Sequence, residues 1–157
     1  SCDLRNYILM RDQGRLEEVS DWCLVETGIL NDPYTGKVIK FVRGVGSSNA
    51  VQIDHVVALS NAWSTGAQLI TATARYQLAN DPLNLLAVDG PTNGSKSDSD
   101  AASFLPRVAY RCKYVARQVA VKLKYGIWVT LAEKAKIREV LNSTTSCQAY
   151  KIANSLW

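Results

Sequence analysis

Asp54 and His55 stand inside an apolar run, with Ile53 before them and residues 56–59 (Val-Val-Ala-Leu) after them. A short apolar run of this kind predicts a buried β-strand. Successive side chains of a strand point to opposite faces, so the two polar residues would lie on different sides. Because charged side chains are rarely buried without a partner or a metal ion, the pattern predicts a polar site at this strand.

Two further strands are predicted from the same kind of pattern. Residues 37–43 alternate loosely between polar and apolar, and a glycine- and serine-rich turn connects them to the run at 51–59. We therefore expect these two segments to form a β-hairpin with a loose loop. Residues 83–88 predict another buried strand, with Asn84 as its one polar residue. Residues 89–100 are rich in turn-forming residues and, taken alone, predict a solvated loop.

The N-terminal half of the chain contains two predicted helical segments. In residues 3–12, Leu4, Ile8 and Arg11 recur at helical spacing, and Asp3 is a candidate N-cap. Residues 61–78 predict a helical or loop segment that ends before Pro82, since the residue before a proline avoids the helical conformation.

The C-terminal half predicts two antiparallel helices. A long helix over residues 101–125, with Pro106 in its first turn or at a kink, would end at Gly126. Thr130-Leu-Ala-Glu133 matches a capping box and would begin a second helix to about Leu141. The predicted apolar stripe of the long helix consists of Val108, Cys112, Val115, Val119 and Leu123. The tryptophans expected in the core are Trp22, Trp63 and Trp128.

Length and composition indicate one globular domain over residues 1–157, with 47% hydrophobic and 20% charged residues. No uninterrupted apolar run approaches the roughly 18 residues of a membrane span, so we expect none. The sequence begins at Ser1 without a methionine or an apolar leader, and we expect any signal peptide to have been removed.

The four cysteines lie far apart, at positions 2, 23, 112 and 147. They form no C-x-x-C motif and the chain has one histidine, which argues against a zinc site. An even number at wide spacing favours two disulfides and an oxidising compartment, with three connectivities possible. We favour Cys2–Cys23 and Cys112–Cys147, because each pair would close a local unit. Four free thiols in a cytosolic protein are the alternative.

Basic charge is concentrated in the C-terminal half of the chain, although the net charge is only +4. Residues 1–35 hold three arginines and seven acidic residues, whereas residues 105–140 hold nine lysines and arginines and two glutamates. This asymmetry indicates a polyanionic partner such as a nucleic acid, and an ordinary solvated helix face is the alternative. The candidate contact residues on this helix are Arg107, Arg111, Lys113 and Arg117.

Four polar side chains lie on predicted strands or in the loop that follows: Asp54, His55, Asn84 and Asn93. Carboxylate and amide oxygens suit Mg²⁺ or a similar hard cation better than zinc. A histidine beside such an ion can take a proton from water near neutral pH. Together these groups could hydrolyse a phosphodiester. Each also has a purely structural interpretation: a turn cap for Asp54, backbone hydrogen bonds for Asn84 and an ordinary turn for Asn93.

The same residues resemble a known nuclease motif. Asp54-His55 on one strand, Asn84-Leu85 on a second, and Asn93-x-x-Lys96 entering a helix are similar to the ββα-metal motif of HNH, or His-Me finger, nucleases. The series resembles most closely the secreted HNH nucleases of the DUF1524 type. The matching pieces are Cys2-Asp-Leu-Arg-Asn6, Asp32-Pro-Tyr-Thr-Gly36, Ile53-Asp-His-Val-Val-Ala-Leu59, Ala62-Trp63, Ala79-Asn-Asp-x-x-Asn-Leu85 and Asn93-x-x-Lys-x-Asp98.

The resemblance implies a role for each residue. Asp54 would be a metal ligand where many relatives carry a histidine, and Asn93 would be the second ligand, at a position that is often histidine. His55 would be the general base, and Asn84 would hold the strands together and orient His55. Contacts to phosphate, or support of the loop, would come from Ser95, Lys96 and Asp98.

The resulting expectation is an α+β fold, with a two-stranded antiparallel hairpin and a helix as its centre, flanking helices and two disulfides. The protein would be a secreted, monomeric, metal-dependent endonuclease. It would use Mg²⁺ or Mn²⁺ on DNA, with RNA as an alternative, and show little sequence preference. A non-catalytic module that binds nucleic acid is the second hypothesis. An extracellular inhibitor or toxin stabilised by disulfides is the third.

Overall fold

The computed structural model describes residues 2–20, 23–145 and 147. The chain divides into two units. Unit 1 comprises Ser1–Asp54 and Leu85–Ser95, and unit 2 comprises His55–Asn84 and Lys96–Trp157. The assignment of residues 1–157 to one domain stays a prediction.

The described ranges contain six α-helices and five strands in two small sheets, which confirms the predicted α+β class. In chain order the elements are α1 (Leu4–Asp12), β1 (Arg15–Ser20), β2 (Leu24–Asn31), β3 (Val38–Val42), β4 (Val51–His55), α2 (Leu59–Ser64), α3 (Ala72–Asn80), β5 (Leu85–Asp89), α4 (Gly90–Lys96), α5 (Val108–Tyr125) and α6 (Leu131–Leu141). Short 3₁₀ turns occupy Ser48–Ala50, Ala67–Leu69 and Pro82–Asn84.

Helix α1 of unit 1 begins as its sequence predicts. The Asp3 carboxylate accepts a hydrogen bond from the backbone amide of Asn6 at 2.7 Å, so Asp3 is the N-cap. The other end of the helix contacts strand β5, since the Asp12 carboxylate accepts from the amide of Ala87 at 2.8 Å. The predicted disulfide between Cys2 and Cys23 is present and links the start of α1 to the start of β2.

The predicted hairpin between residues 37–43 and the run at 51–59 is wrong. Strand β3 pairs antiparallel with β2, from Thr27 opposite Val42 to Asn31 opposite Val38, whereas β4 pairs with β5. The turn at residues 32–37 explains the difference, because it closes with a backbone hydrogen bond between the amide of residue 32 and the carbonyl of residue 37 at 2.8 Å. Strand β1 completes the first sheet on the other side of β2.

A buried apolar cluster joins the elements of unit 1. It takes side chains from α1, both sheets and the strand that carries Asp54: Ile8, Leu9, Val25, Leu30, Phe41, Val51, Leu85 and Ala87. All five residues of β5 are buried, as the continuous apolar pattern predicts. Helix α4 follows β5 directly, so the predicted solvated loop is helical at residues 90–96.

Unit 2 is built from helices and has its own core: Val57, Ala62, Ala67, Leu78, Val121 and Ile127. Helix α5 begins at Val108, later than predicted, because Pro106 and an extended Arg107 precede it. It ends at Gly126, whose φ of 63° is the left-handed conformation that glycine adopts readily. The Thr130–Glu133 capping box that begins α6 is confirmed. The disulfide between Cys112 and Cys147 is also present.

The apolar stripe predicted for α5 is only partly correct. Val115 is buried, but Val108 and Leu123 are exposed. The buried face instead includes Arg117 and Lys122, which have hydrogen-bond partners within unit 2. Paired polar groups can be buried at little cost, and a hydrophobic pattern alone does not detect them.

The prediction for the tryptophans is wrong for Trp63 and Trp128, which are both substantially exposed. Trp22 lies outside the described residues. As expected, none of the helices in the described ranges combines the length and the apolar character needed to cross a membrane.

Candidate functional site

Asp54 lies in strand β4 of unit 1 and is almost completely buried. Its Oδ2 atom accepts a hydrogen bond from the hydroxyl of Tyr34 at 2.5 Å. Tyr34 is also buried and lies in the turn between β2 and β3. A hydrogen bond to a carboxylate both stabilises its charge and limits its rotation, so Tyr34 orients Asp54.

The turn that carries Tyr34 is held by the fully buried carboxylate of Asp32. Its Oδ2 accepts from the amide and the hydroxyl of Thr35, at 2.8 and 2.5 Å. The other oxygen accepts from the amide of Asp89 at 2.9 Å, at the end of β5. The Asp89 carboxylate in turn accepts from the amide of Thr92 at 3.0 Å, which fixes the first turn of α4. Asp32 thus connects the Tyr34 turn to the helix that carries Asn93.

Asn93 is half-buried in α4, and its amide nitrogen donates to Oε1 of Gln52 at 2.9 Å. Gln52 precedes Asp54 by two positions on β4, so both side chains leave the same face of the strand. With the nitrogen of Asn93 donating to Gln52, its oxygen is the atom with which it would bind a cation.

His55 is the first residue of unit 2, and its imidazole forms a hydrogen bond with a backbone carbonyl group. The Nε2 atom lies 2.8 Å from the carbonyl oxygen of Ala79 in α3. A carbonyl can only accept, so Nε2 carries the proton and Nδ1 holds the lone pair of the neutral ring. Nδ1 is therefore the atom through which His55 could act as a base.

Asn84 is fully buried in the Pro82–Asn84 turn and stabilises the segment that follows His55. Its side-chain oxygen accepts from the amide of Val57 at 2.8 Å, and its nitrogen donates to the carbonyl of Val57 at 3.2 Å. The backbone carbonyl of Asn84 accepts from the amide of Val56 at 2.8 Å. These bonds reach the two residues after His55, so any influence of Asn84 on the imidazole passes through the backbone.

The turn that contains Asn84 is stabilised by Asp81. Its Oδ1 accepts from the amide of Leu83 at 2.9 Å, and its Oδ2 accepts from Lys124 and from the hydroxyl of Tyr125, both at 2.6 Å. Burial opposes ionisation of Asp81, but these hydrogen bonds outweigh it and lower its pKa below the ordinary value. Burial, reinforced by the adjacent Asp81 carboxylate, raises the pKa of Tyr125.

Two of the basic residues predicted to contact nucleic acid are buried. Lys96 is fully buried, and its ammonium donates to the carbonyl oxygen of His55 at 2.9 Å. The guanidinium of Arg117 donates to the carbonyls of Leu83 and Pro82, at 2.6 and 3.0 Å. In this structure both side chains support the segments next to His55 and Asn84.

The remaining basic candidates lie at or near the start of α5. Arg107 and Lys113 are exposed, and Arg111 is half-buried and donates to the carbonyl of Pro106 at 2.9 Å. Contact of these three residues with nucleic acid stays a prediction.

The donor atoms of Asp54 and Asn93 fit a hard cation. Within residues 2–20, 23–145 and 147, no group of three or more histidine, cysteine, aspartate or glutamate side chains could hold a metal ion. A carboxylate and an amide oxygen are hard donors of the kind that bind Mg²⁺, which keeps several waters and often binds substrate phosphate. Metal binding by these residues stays a prediction.

Several residues that organise these groups could not be assigned a role from the sequence. Tyr34 and Asp32 belong to the Asp32-Pro-Tyr-Thr-Gly36 segment, which resembles the nuclease family but contains no group that suggests catalysis by itself. Gln52 lies two positions before Asp54, and this spacing on a predicted strand indicates that the two side chains share a face.

Comparison with known proteins places the chain in a family and identifies a similar protein. The family model described as "GmrSD restriction endonucleases, C-terminal domain" matches residues 13–140. A protein of Arthroderma benhamiae named "Uncharacterized secreted protein" is 36% identical over 146 residues, which is 91% of this chain and 68% of the relative. The family match contains all four residues of the candidate site, Asp54, His55, Asn84 and Asn93.

Proposed function

Because the chain belongs to the family of the C-terminal domain of GmrSD restriction endonucleases, we propose that it is a metal-dependent endonuclease of the HNH type. The observation that carries this proposal is the orientation of His55. Its Nε2 atom donates to the carbonyl of Ala79, which leaves Nδ1 as the basic nitrogen. His55 directly follows the buried Asp54 in the sequence. His55 would supply the base and Asp54 a metal ligand, the two kinds of group that metal-assisted hydrolysis of a phosphodiester needs.

In the proposed reaction, Nδ1 of His55 accepts a proton from a water molecule. The oxygen of that water forms a bond to phosphorus while one P–O ester bond breaks. The leaving oxygen takes a proton from solvent water, which yields a phosphate monoester and an alcohol, and His55 returns its proton to solvent. Asp54 and Asn93 would hold Mg²⁺ or Mn²⁺, and the ion would neutralise charge on the phosphate and the leaving oxygen. The Ala79 carbonyl and the Asn93 amide keep their protonation states throughout this reaction.

The surrounding residues act in this proposal by positioning. Tyr34 holds the Asp54 carboxylate, and Gln52 holds the amide of Asn93. Lys96 binds the carbonyl of His55, and Asn84 fixes the two residues after it. Such preorganisation matters because misplacement of a catalytic group by about 1 Å can lower the rate roughly a hundredfold.

We propose nucleic acid as the substrate, with DNA favoured and RNA as the alternative, and little dependence on base sequence. Exposed basic side chains such as Arg107 and Lys113 would bind the phosphate backbone without reading bases. The two disulfides and the name of the Arthroderma benhamiae relative support secretion. We propose that the protein acts as a monomer.

The test is nicking of supercoiled plasmid in Mg²⁺ or Mn²⁺, with EDTA as the negative control. His55→Gln is the decisive variant, because glutamine can still donate to the carbonyl of Ala79 but has no nitrogen that accepts a proton. We expect wild-type protein to nick the plasmid, and EDTA or His55→Gln to stop it. Nicking by folded His55→Gln at the wild-type rate would exclude this mechanism.

The second candidate function is a module that binds nucleic acid without cleaving it. The observation in its favour is that Arg107 and Lys113 are exposed and could bind a phosphate backbone without any catalytic group. Metal-independent binding of plasmid, without nicking in Mg²⁺, Mn²⁺, Ca²⁺ or Zn²⁺, would support this second candidate.

A further inference from the structure

Unit 2 exposes two aromatic side chains on neighbouring helices. Trp63 in α2 is 54% exposed, and Tyr76 in α3 is 72% exposed. Large aromatic rings usually contribute to a core, and those left exposed at a surface often stack on a partner. We call Trp63, Arg75 and Tyr76 the aromatic surface.

The guanidinium of Arg75 lies over the Trp63 ring. It lies 5.6 Å from the centre of that ring, within the range of a cation–π contact. The same guanidinium donates to the carbonyls of Ile70 and Ala67, at 2.6 and 3.3 Å. Because the arginine is anchored to the backbone, it keeps a cation beside the exposed ring of Trp63.

Tyr76 lines two cavities. The first, of about 290 Å³, is mainly apolar and has Trp63, Arg75 and Tyr76 in its lining. The second, of about 640 Å³, is more polar and includes Tyr76, Gln77, Asn80 and Lys124. The surface therefore offers ring faces for stacking, amides for hydrogen bonds and the cation of Arg75, whereas Lys124 is paired with Asp81 in the lining of the larger cavity.

Helix α3 connects the aromatic surface to His55. Ala79 lines the smaller cavity and follows Tyr76 by three positions, which places both on one side of the helix. The carbonyl of Ala79 accepts the hydrogen bond from Nε2 of His55. A nucleic-acid strand bound at the aromatic surface would thus lie next to Ala79, whose carbonyl positions the proposed base, His55.

We propose that the aromatic surface stacks unpaired bases, and that the preferred substrate is single-stranded or locally unpaired nucleic acid. This inference rests on the proposed nuclease function and adds the substrate class. In a duplex, the base faces are already stacked on one another, so Trp63 and Tyr76 could reach them only after local unpairing. An unpaired strand presents its bases freely, and stacking on aromatic rings tolerates any sequence.

Charge favours a nucleic acid over an apolar protein partner. The guanidinium of Arg75 borders the smaller cavity, and a cation there complements a phosphate backbone. At the larger cavity the ammonium of Lys124 is paired with the Asp81 carboxylate at 2.6 Å, so the positive charge of the aromatic surface comes from Arg75. The mixture of ring faces, amides and cations is that of grooves that bind single strands.

The test is a binding measurement in EDTA, so that affinity is separated from cleavage. Fluorescence anisotropy of a labelled single-stranded oligonucleotide and of its duplex would be compared for wild type, Trp63→Ala, Trp63→Phe and Tyr76→Ala. Tyr7→Ala is the matched control, because Tyr7 is an exposed tyrosine on α1. Circular dichroism and thermal melting identify any variant that does not fold.

We expect wild type to prefer the single strand, and each alanine variant on the surface to lose about tenfold in affinity for it. Trp63→Phe should retain most of the affinity because a ring face remains, and Tyr7→Ala should bind as wild type does. Equal affinity of wild type and folded Trp63→Ala for the single strand would overturn the inference. So would self-association in sedimentation velocity that Trp63→Ala abolishes, since the surface would then be a protein interface.

Failure of the inference and failure of the proposed function give different results. If wild type nicks plasmid but its affinity does not depend on Trp63 or Tyr76, the nuclease proposal stands and the aromatic surface has no role in substrate choice. If wild type binds single strands through these residues but cleaves nothing with any divalent cation, the surface assignment stands and the nuclease proposal falls.

Discussion

Removing the hydroxyl of Tyr34 tests whether this side chain holds Asp54. Tyr34→Phe keeps the ring and deletes only the group that donates to the buried Asp54 carboxylate at 2.5 Å. Hydrogen bonds to charged groups contribute about 1.5–3 kcal/mol, and Tyr34→Phe removes one such bond from the buried carboxylate. We therefore expect Tyr34→Phe to lower the free energy of unfolding by about 2 kcal/mol.

The assay is equilibrium unfolding in urea, followed by tryptophan fluorescence and by circular dichroism. Tyr7→Phe is the matched control, because it deletes the hydroxyl of an exposed tyrosine and should change stability by less than about 0.5 kcal/mol. A double-mutant cycle with Asp54→Asn measures the coupling between the two side chains directly.

Activity provides a second measurement on the same variant. If Asp54 holds the cation, a less constrained carboxylate should raise the Mn²⁺ concentration needed for half-maximal nicking. The reasoning is refuted if Tyr34→Phe matches wild type in both unfolding and Mn²⁺ dependence, or if the double-mutant cycle shows no coupling.

Three further predictions concern the scaffold. A Cβ on Gly90 would collide with the backbone carbonyl of Asn49, so Gly90→Ala should cost about 1–3 kcal/mol in urea unfolding; unchanged stability would contradict the packing. Gln13 is buried, and neither of its side-chain polar atoms has a hydrogen-bond partner in the described part of the chain. Gln13→Met should therefore stabilise the protein by about 1 kcal/mol, and a lower melting temperature would disagree. Hydrogen bonds lower the folded-state pKa of Asp81, so its stabilising contribution is present above pH about 4 and lost as pH falls through the folded value. The stability difference between wild type and Asp81→Asn should accordingly shrink in acid, and a difference independent of pH would refute the linkage.

Elements with local signals could be predicted from the sequence. The ends of α1, α5 and α6 depend on Asp3, Gly126 and the Thr130 capping box, and each acts on residues within one helical turn. Strand β5 is buried on both faces, and its unbroken apolar run reports that burial directly.

Features that depend on distant partners could not be predicted. Strand β1 is exposed along most of its length and has no apolar alternation, so its pairing with β2 leaves no pattern in the sequence. The burial of Lys122 depends on an ion pair with Glu133 at 2.8 Å and on contacts with Thr65 and Trp128. No spacing rule within α5 indicates these contacts.

The candidate site likewise has residues that could be predicted from the sequence and contacts that could not. Asp54 and His55 are recognisable because polar residues interrupt an apolar run, and the nuclease resemblance adds Asn84 and Asn93. The hydrogen bond from Tyr34 to Asp54 joins residues 20 positions apart, and only the fold brings them together. The tautomer of His55 depends likewise on the carbonyl of Ala79, 24 positions away.

The most direct test of the proposed chemistry is the anomalous difference map of a crystal soaked in Mn²⁺, recorded together with the nicking activity of the same preparation. The account predicts one strong peak coordinated by a carboxylate oxygen of Asp54 and the side-chain oxygen of Asn93, and its loss in Asp54→Asn. An active preparation whose manganese binds elsewhere, or that shows no manganese at Asp54, would contradict the account.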